Sequence, residues 1–175
     1  LQEGLADADV VYEALAEGGI TRFLVVYTKP FDLSRIGPIR SARHYYVDLA
    51  EEFGGFFGHV GGSPQSIGVL NSEEYLKDLN QFANARYYWR DTSVPAPHNV
   101  FTSTELLNIA KRDLGIESDS GDYESWTIKK DLELEERPTS QTIKINFSSS
   151  EYQVEYKYNR DANTYARFNA GEEHK

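Results

Sequence analysis

The sequence predicts an α/β (α+β) fold, in which a mixed sheet with flanking helices is followed by an antiparallel β-meander. Strand-like and helix-like segments alternate through residues 1–116, which we interpret as an N-terminal α/β domain. Acidic residues then dominate an expected connection at 117–137. From residue 138 apolar residues recur at every second position, so 138–175 is predicted to begin a C-terminal antiparallel β region that the chain truncates.

Composition narrows the classes of function. The chain has 175 residues, is 39% hydrophobic and carries a formal net charge of −10. This charge argues against nucleic-acid binding and against docking of the domain body on anionic lipid heads. No run approaches 18 apolar residues, and there are no cysteines for disulfides or thiolate chemistry. Methionine is also absent, so we expect a fragment or a processed form.

The first elements are predicted from glycines and proline. Two apolar runs within residues 9–28 surround Gly18-Gly19, which is typical of a hairpin. The second run, residues 23–27, is continuously apolar, as in a strand buried on both faces. A helix is predicted over residues 38–53, because Pro38 suits a first turn and two glycines follow the helix.

The next elements are shorter. Residues 56–62 read as a buried strand that runs into a glycine turn, and 72–82 as a short helix. Residues 86–90 indicate a strand or an aromatic edge. The clearest helix covers 102–115, where Thr102 and Glu105 fit a capping box, Ser103 is the competing cap and Gly115 ends the helix.

The C-terminal part changes pattern. Residues 117–136 have little apolar periodicity and are expected to be an exposed connection. Beyond them, alternation places Ile143 and Ile145 on one strand face and Val154 and Tyr156 on the next. A third strand follows the turn at 159–163.

Cationic residues are concentrated around Gly37-Pro38. If a helix starts at Pro38, its free N–H groups favour an anion beside Arg40, Ser41 and Arg43. Two guanidinium groups suit carboxylate or phosphate. The alternative is that the arginines form salt bridges with this chain's many acids.

Three further clusters contain candidate site residues. Glu17 and Arg22 flank the first hairpin turn, which could equally be a solvated tip. A strand end opens into glycines at His59, Gly61, Gly62 and Ser63, where a ligand can approach the backbone, although a buried, satisfied histidine is the common alternative. The last is His98-Asn99, or simply a loop that positions the next helix. The candidates for catalysis are His59, His98 and Glu17.

No metal or cofactor is predicted. The four histidines have no close pairing in sequence; they are His44, His59, His98 and His174. Neither a phosphate-binding loop nor a G-x-S-x-G elbow is present.

Several motifs taken together resemble the YerB-like family of bacterial lipoproteins. They are ADVVYEALAEGGITRFLVVY, IGPIRSARHYYVDLAEEF, HVGGSPQ and PHNVFTSTELL, in that order, followed by the terminal FSSSEYQVEYKYNRDANTYARFNAGEEH. The resemblance implies an extracytoplasmic protein of unknown activity, tethered to the membrane through a lipidated N-terminal cysteine that this chain lacks. Membrane association would come only from that anchor.

A second resemblance is more partial. PIRSAR followed by YYVDLAEEFGGFFGHVGG is similar to the region of the LytR-CpsA-Psr phosphotransferases in which arginines hold a lipid pyrophosphate. The acidic metal-binding pattern of those enzymes is not evident, since only Asp7 and Asp9 precede the arginines.

Three functions follow as hypotheses. The first is a cell-envelope module that binds an anionic small molecule or a cell-wall glycopolymer in an arginine-lined cleft. The second is a phosphotransferase or hydrolase acting on an envelope glycopolymer, and the third is a structural or protein-interaction module. For the first, we expect Arg22, Arg40 and Arg43 to converge on one cleft, with His59 or His98 at its rim.

Overall fold

The computed structural model describes residues 2–72, 76–115 and 126–174. Over these residues the chain forms three α-helices and several small sheets, one of them four-stranded and antiparallel, which confirms the predicted fold class. Two compact units share the described chain. One contains residues 2–11, 24–72 and 76–115, and the other contains 12–23 and 126–174.

The predicted first hairpin is confirmed. Strands β1 (Val10–Leu15) and β2 (Thr21–Val26) form a two-stranded sheet, and a 3-10 turn at Glu17–Gly19 lies between them. Gly18 and Gly19 have φ of 70° and 75°, the left-handed region that glycine enters without steric cost. Strand β2 is only half-buried, so the prediction of burial on both faces is wrong. Among the described residues, β2 pairs only with β1, in a two-stranded sheet.

Residues 36–42 form an extended segment, here called the bridge segment, where a helix start was predicted. Its backbone pairs with neighbouring segments: Ile39 N–H donates to Val100 O at 2.7 Å, and Arg40 O accepts from Val60 N–H at 3.0 Å. These bonds satisfy groups that would otherwise belong to a helix. Helix α1 (His44–Glu51) therefore begins at His44 rather than Pro38, and the Gly37–Pro38 bond is cis.

A strand–helix–strand unit follows. Strand β3 (Gly55–His59) pairs in parallel with β4 (Leu76–Asn80), and helix α2 (Pro64–Ser72) connects them along the chain. The prediction of a helix at 72–82 is wrong, because 76–80 is a strand; residues 73–75 lie outside the described chain. Leu76 and Leu79 are both buried, and their spacing of three imitates one face of a helix.

Strands β5 (Trp89–Arg90) and β6 (Val100–Phe101) form an antiparallel pair, and a 3-10 turn precedes β5, in partial agreement with the predicted strand at 86–90. Helix α3 (Thr104–Asp113) is confirmed. Its cap is Ser103, whose Oγ accepts from Leu106 N–H at 3.2 Å. Thr102 instead donates its hydroxyl to Tyr87 O, so the predicted Thr102 cap is wrong. The buried core between these elements contains Leu79, Tyr87, Tyr88, Val100 and Ala110.

The second unit contains the predicted meander. Four strands lie in the order β10-β9-β8-β7, and every neighbouring pair is antiparallel: β7 (Thr142–Asn146), β8 (Gln153–Asn159), β9 (Thr164–Asn169) and β10 (Glu172–Glu173). Val154 is fully buried in this unit. Of the predicted acidic connection, residues 126–136 are exposed, and 117–125 lie outside the described residues. None of the described helices is long and apolar enough to cross a membrane.

Candidate functional site

A cavity of about 420 Å³ opens on the first unit. Its walls come from four places that are distant in sequence: the bridge segment, the turn after β3, the residues after β4 and the β5–β6 hairpin. Among the residues lining this cavity, here called the glycine cavity, are Arg40, Ser41, Gly61, Gly62, Phe82 and Arg90.

The glycine turn and Phe82 are held by one side chain. Asn80 Oδ1 accepts from Gly61 N–H at 3.0 Å and from Phe82 N–H at 3.2 Å. Gly61 has φ of 59°, and a Cβ at this position would lie 2.8 Å from Phe82 Cε2. The phenyl ring therefore lies against the glycine, yet 70% of Phe82 remains exposed.

Arg40 enters the cavity from the bridge segment and contacts His98. The distance from Arg40 Nη1 is 2.7 Å to His98 Nδ1 and 3.2 Å to Nε2. A guanidinium can only donate, so the nearer nitrogen accepts the hydrogen bond and is unprotonated in this contact. The contact thus places a neutral imidazole beside a permanent cation.

Arg90 is held by neutral amides. It donates to Asn99 Oδ1 at 3.1 Å and to Gln81 Oε1 at 3.3 Å. Within residues 2–72, 76–115 and 126–174, no carboxylate forms a salt bridge with Arg90. The charge of Arg90 is oriented by its partners but not neutralised by them.

A second cavity of about 290 Å³ has in its wall an arginine whose partners are carboxylates. Arg35 in its wall binds Glu3 Oε1 at 2.8 Å and Asp91 Oδ2 at 2.7 Å, and its guanidinium carbon lies 3.6 Å from the centre of the Phe101 ring. Hydrogen bonds from the Ser93 hydroxyl and from Arg35 lower the pKa of Asp91 to about 2. Arg35 is therefore fully compensated by acids.

The remaining predicted residues lie elsewhere. Arg43 occupies the N-cap position of α1 without a side-chain capping hydrogen bond, and its guanidinium donates to Ala42 O at 2.6 Å. Because α1 starts at His44, the predicted anion site at a helix start near Pro38 has no helix to form it. Ser63 Oγ accepts from Ser66 N–H, as a cap of α2 does.

His59 lies beneath the glycine turn and is 1% exposed. Its Nδ1 is 2.7 Å from Gly61 O, and its Nε2 is 2.7 Å from Asp78 Oδ1. Two oxygen partners use both ring nitrogens, so His59 braces the turn from below. In the second unit, Glu17 and Arg22 form an ion pair of 3.2 Å at the hairpin tip.

The structure therefore brings together Arg40, Ser41, Gly61 and Gly62, with His98 and Asn99 contacting the cavity arginines. Sequence reasoning missed Arg90, Phe82 and Gln81. A signal for Arg90 was available: pairing residues 89–90 with 100–101 as a hairpin places Arg90 near Asn99. Among the described residues there is no group of three or more His, Asp or Glu that could hold a metal ion.

Comparison of the sequence with known proteins identifies related chains. A sequence model described as the N-terminal domain of a protein of unknown function (DUF3048) matches residues 1–117. "Putative lipoprotein YerB" of Bacillus subtilis (strain 168) is 31% identical over 174 residues, which cover 97% of this chain and 51% of YerB.

A solved structure agrees with the sequence match. The crystal structure of YerB from Bacillus subtilis superposes with a TM-score of 0.79 and 30% identity, covering 99% of this chain and 58% of that one. The chain thus spans little more than half the length of these relatives. The predicted resemblance to YerB-like proteins is confirmed.

Proposed function

The chain belongs to the DUF3048 family of proteins of unknown function, and from that premise we propose that this member binds an anionic ligand in the glycine cavity. The observation that carries the proposal is Arg90, a cation in the cavity wall whose partners are neutral amides. Arg40 lines the same cavity, and two guanidinium groups can share the oxygens of a phosphate or carboxylate. A local pair of cations can admit an anion to an acidic chain because its distant charges are screened.

The experiment is anion stabilisation measured on single variants. The melting temperature of the 175-residue protein is recorded against phosphate concentration, with chloride holding the ionic strength constant. Binding to the folded state alone should raise stability by about 2.7 kcal/mol at a hundred times Kd. We expect Arg90→Gln and Arg40→Gln each to weaken phosphate binding roughly tenfold or more, since each removes a charge-assisted hydrogen bond.

The control is Arg112→Gln on α3, which removes the same charge from an exposed position on another element. It should bind phosphate as the wild type does. If wild type and the Arg40/Arg90 double variant respond equally to phosphate, the arginines only brace the fold and the binding proposal fails.

We further propose an extracytoplasmic location and attachment as a lipoprotein. The support is the name of the relative YerB, together with its 31% identity to this chain over 174 residues. Surface accessibility tests this: a protease added to intact spheroplasts should degrade the natural full-length protein while cytoplasmic markers survive. Survival of the protein under those conditions would contradict the location.

Catalysis on an envelope glycopolymer is a second candidate, favoured by His98. Its neutral imidazole, 2.7 Å from Arg40, could exchange a proton with a ligand held there. A phosphotransferase or hydrolase should release p-nitrophenol from p-nitrophenyl phosphate, and His98→Gln should abolish that release. Phosphate binding without turnover would leave the binding module as the function.

A further inference from the structure

We infer that the glycine cavity selects an anionic sugar, with Phe82 as the residue that contacts the sugar ring. This inference rests on the proposed anion binding and adds the class of ligand. Three features support it: an exposed aromatic ring, amide groups that donate to none of the described residues, and a cavity lining that is part apolar and part polar.

The exposed ring is the first feature. Phe82 is 70% exposed, although burying a phenyl side chain would stabilise the fold. Its position is fixed, because Asn80 holds its backbone N–H and the ring lies against Gly61. The fold thus presents an apolar face to the cavity that Arg40 and Arg90 also line.

The amides beside Arg90 are the second feature. Gln81 and Asn99 each accept from Arg90 through their side-chain oxygen. Their amide nitrogens donate to no group within the part of the chain that the structure describes. Each therefore has N–H groups that can donate to a ligand oxygen next to the guanidinium.

The third feature is the mixed lining of the cavity. Apolar side chains form part of it, and Ser41 and the two arginines contribute polar groups; the apolar residues are Ile39, Val60, Phe82, Ala96, Pro97 and Val100. A sugar ring has an apolar face and a rim of hydroxyl groups, and an acidic substituent would meet the guanidinium groups. An inorganic anion would leave Phe82 uncovered, and the aromatic ring of an aryl acid has no hydroxyl groups to bond with the polar part of the lining. A volume of about 420 Å³ falls within the range of ligand cavities.

The test compares four probes by calorimetric titration at fixed ionic strength: inorganic phosphate, glucose 6-phosphate, glucuronic acid and phenyl phosphate. We expect glucose 6-phosphate to bind at least tenfold tighter than inorganic phosphate. Phe82→Ala should remove that advantage, while Phe82→Tyr should retain it. Trp126→Ala, which removes an exposed aromatic of the second unit, is the matched control and should change nothing.

The outcomes separate the two proposals. If neither glucose 6-phosphate nor glucuronic acid binds more tightly than inorganic phosphate, the sugar inference is overturned and anion binding stays intact. Phenyl phosphate binding tighter than both sugars also overturns it, in favour of an aryl acid. Tighter binding of either sugar that depends on Phe82 supports it, and tighter binding that Phe82→Ala leaves unaltered contradicts it. If no probe binds, the proposed function fails and this inference fails with it.

Discussion

Arg35 and Arg90 lie in the walls of two cavities of the same unit, and their partners differ in charge. Arg35 meets two carboxylates and an aromatic ring, so its charge is balanced within the fold. Arg90 meets two amides, so its charge is oriented but not neutralised by these partners. We propose that the charge of an arginine's partners, more than its position near a cavity, separates a bracing role from a binding role.

One carboxylate explains most of this difference. Asp91 directly follows Arg90 in the chain, yet it binds Arg35 at 2.7 Å. Successive residues of an extended chain point to opposite sides, so Arg90 lines the glycine cavity while Asp91 reaches Arg35. The backbone fixes this division, because Asp91 N–H donates to Asn99 O at 2.8 Å. Asp91 therefore pairs with Arg35 and not with Arg90, although Arg90 precedes it directly in the chain.

The largest expected effect comes from giving Arg90 a carboxylate partner, as Arg35 has. Asn99→Asp places a carboxylate of nearly the same shape at the amide oxygen that now lies 3.1 Å from Arg90 Nη1. The new ion pair should reduce phosphate affinity roughly tenfold, because the anion must compete with it and is repelled by it. Stability should change little, since exposed pairs contribute about 0–1 kcal/mol. Phosphate titration calorimetry measures the loss.

Asn108→Asp is the matched control, because it adds the same charge to an exposed position of α3. Unchanged phosphate affinity in this variant would show that the effect is local. If Asn99→Asp binds phosphate as tightly as wild type, Arg90 does not contact the anion and the contrast with Arg35 is lost.

The next effect concerns stability. Arg35→Gln removes a cation that meets Glu3, Asp91 and the Phe101 ring, and it leaves two acids facing each other across the vacated site. We expect a clear fall in melting temperature with phosphate binding retained. Arg90→Gln should instead weaken phosphate binding and leave the melting temperature within roughly 1–2 °C of wild type, as for an ordinary surface substitution. Two variants that are equally destabilised would remove the distinction.

Much of the fold was predictable because the signals are local. Each of three patterns predicts its structure from a few neighbouring residues: Gly18-Gly19 at the first hairpin, Gly115 at the end of α3 and the alternation around Val154. The prediction of a helix start at Pro38 failed because of contacts with residues that are distant in sequence. The bridge segment is extended because Val60 and Val100 pair with its backbone, and both lie far from it in sequence.

The site was predictable only in part, for the same reason. The motifs identified Arg40, Gly61 and Asn99 as residues of turns and element ends, where ligands approach the backbone. Arg90 and Phe82 look in sequence like the end of a strand and an ordinary apolar residue. Their roles depend on the pairing of β5 with β6 and on Asn80, which no local pattern specifies.

The smallest expected effect is a pH dependence of the Arg35 cluster. Hydrogen bonds from Ser93 and then Arg35 lower the pKa of Asp91 from 3.8 to about 2. An acid whose pKa is lower in the folded than in the unfolded state stabilises the fold above its unfolded value. That contribution is therefore present above about pH 4 and is lost as the pH falls through about 2.

Asp91→Asn isolates this contribution. The difference in free energy of unfolding between wild type and variant, from urea titrations at about pH 5, 4, 3 and 2, should be largest at the highest pH and shrink toward the lowest. Other acids titrate in the same range, but they are common to the two proteins and cancel in the difference. Asp48→Asn on α1, an exposed acid, is the control.

Repeating the titrations in the Arg35→Gln background makes the test specific. The two proteins compared are then Arg35→Gln alone and Arg35→Gln combined with Asp91→Asn. Their difference in free energy of unfolding should depend less on pH, because one cause of the lowered pKa of Asp91 is gone. The dependence should not vanish, because the Ser93 hydroxyl still donates to Asp91. A pH dependence that Arg35→Gln leaves unaltered would mean that Asp91 is held by Ser93 alone, and that Arg35 is not compensated in the way that distinguishes it from Arg90.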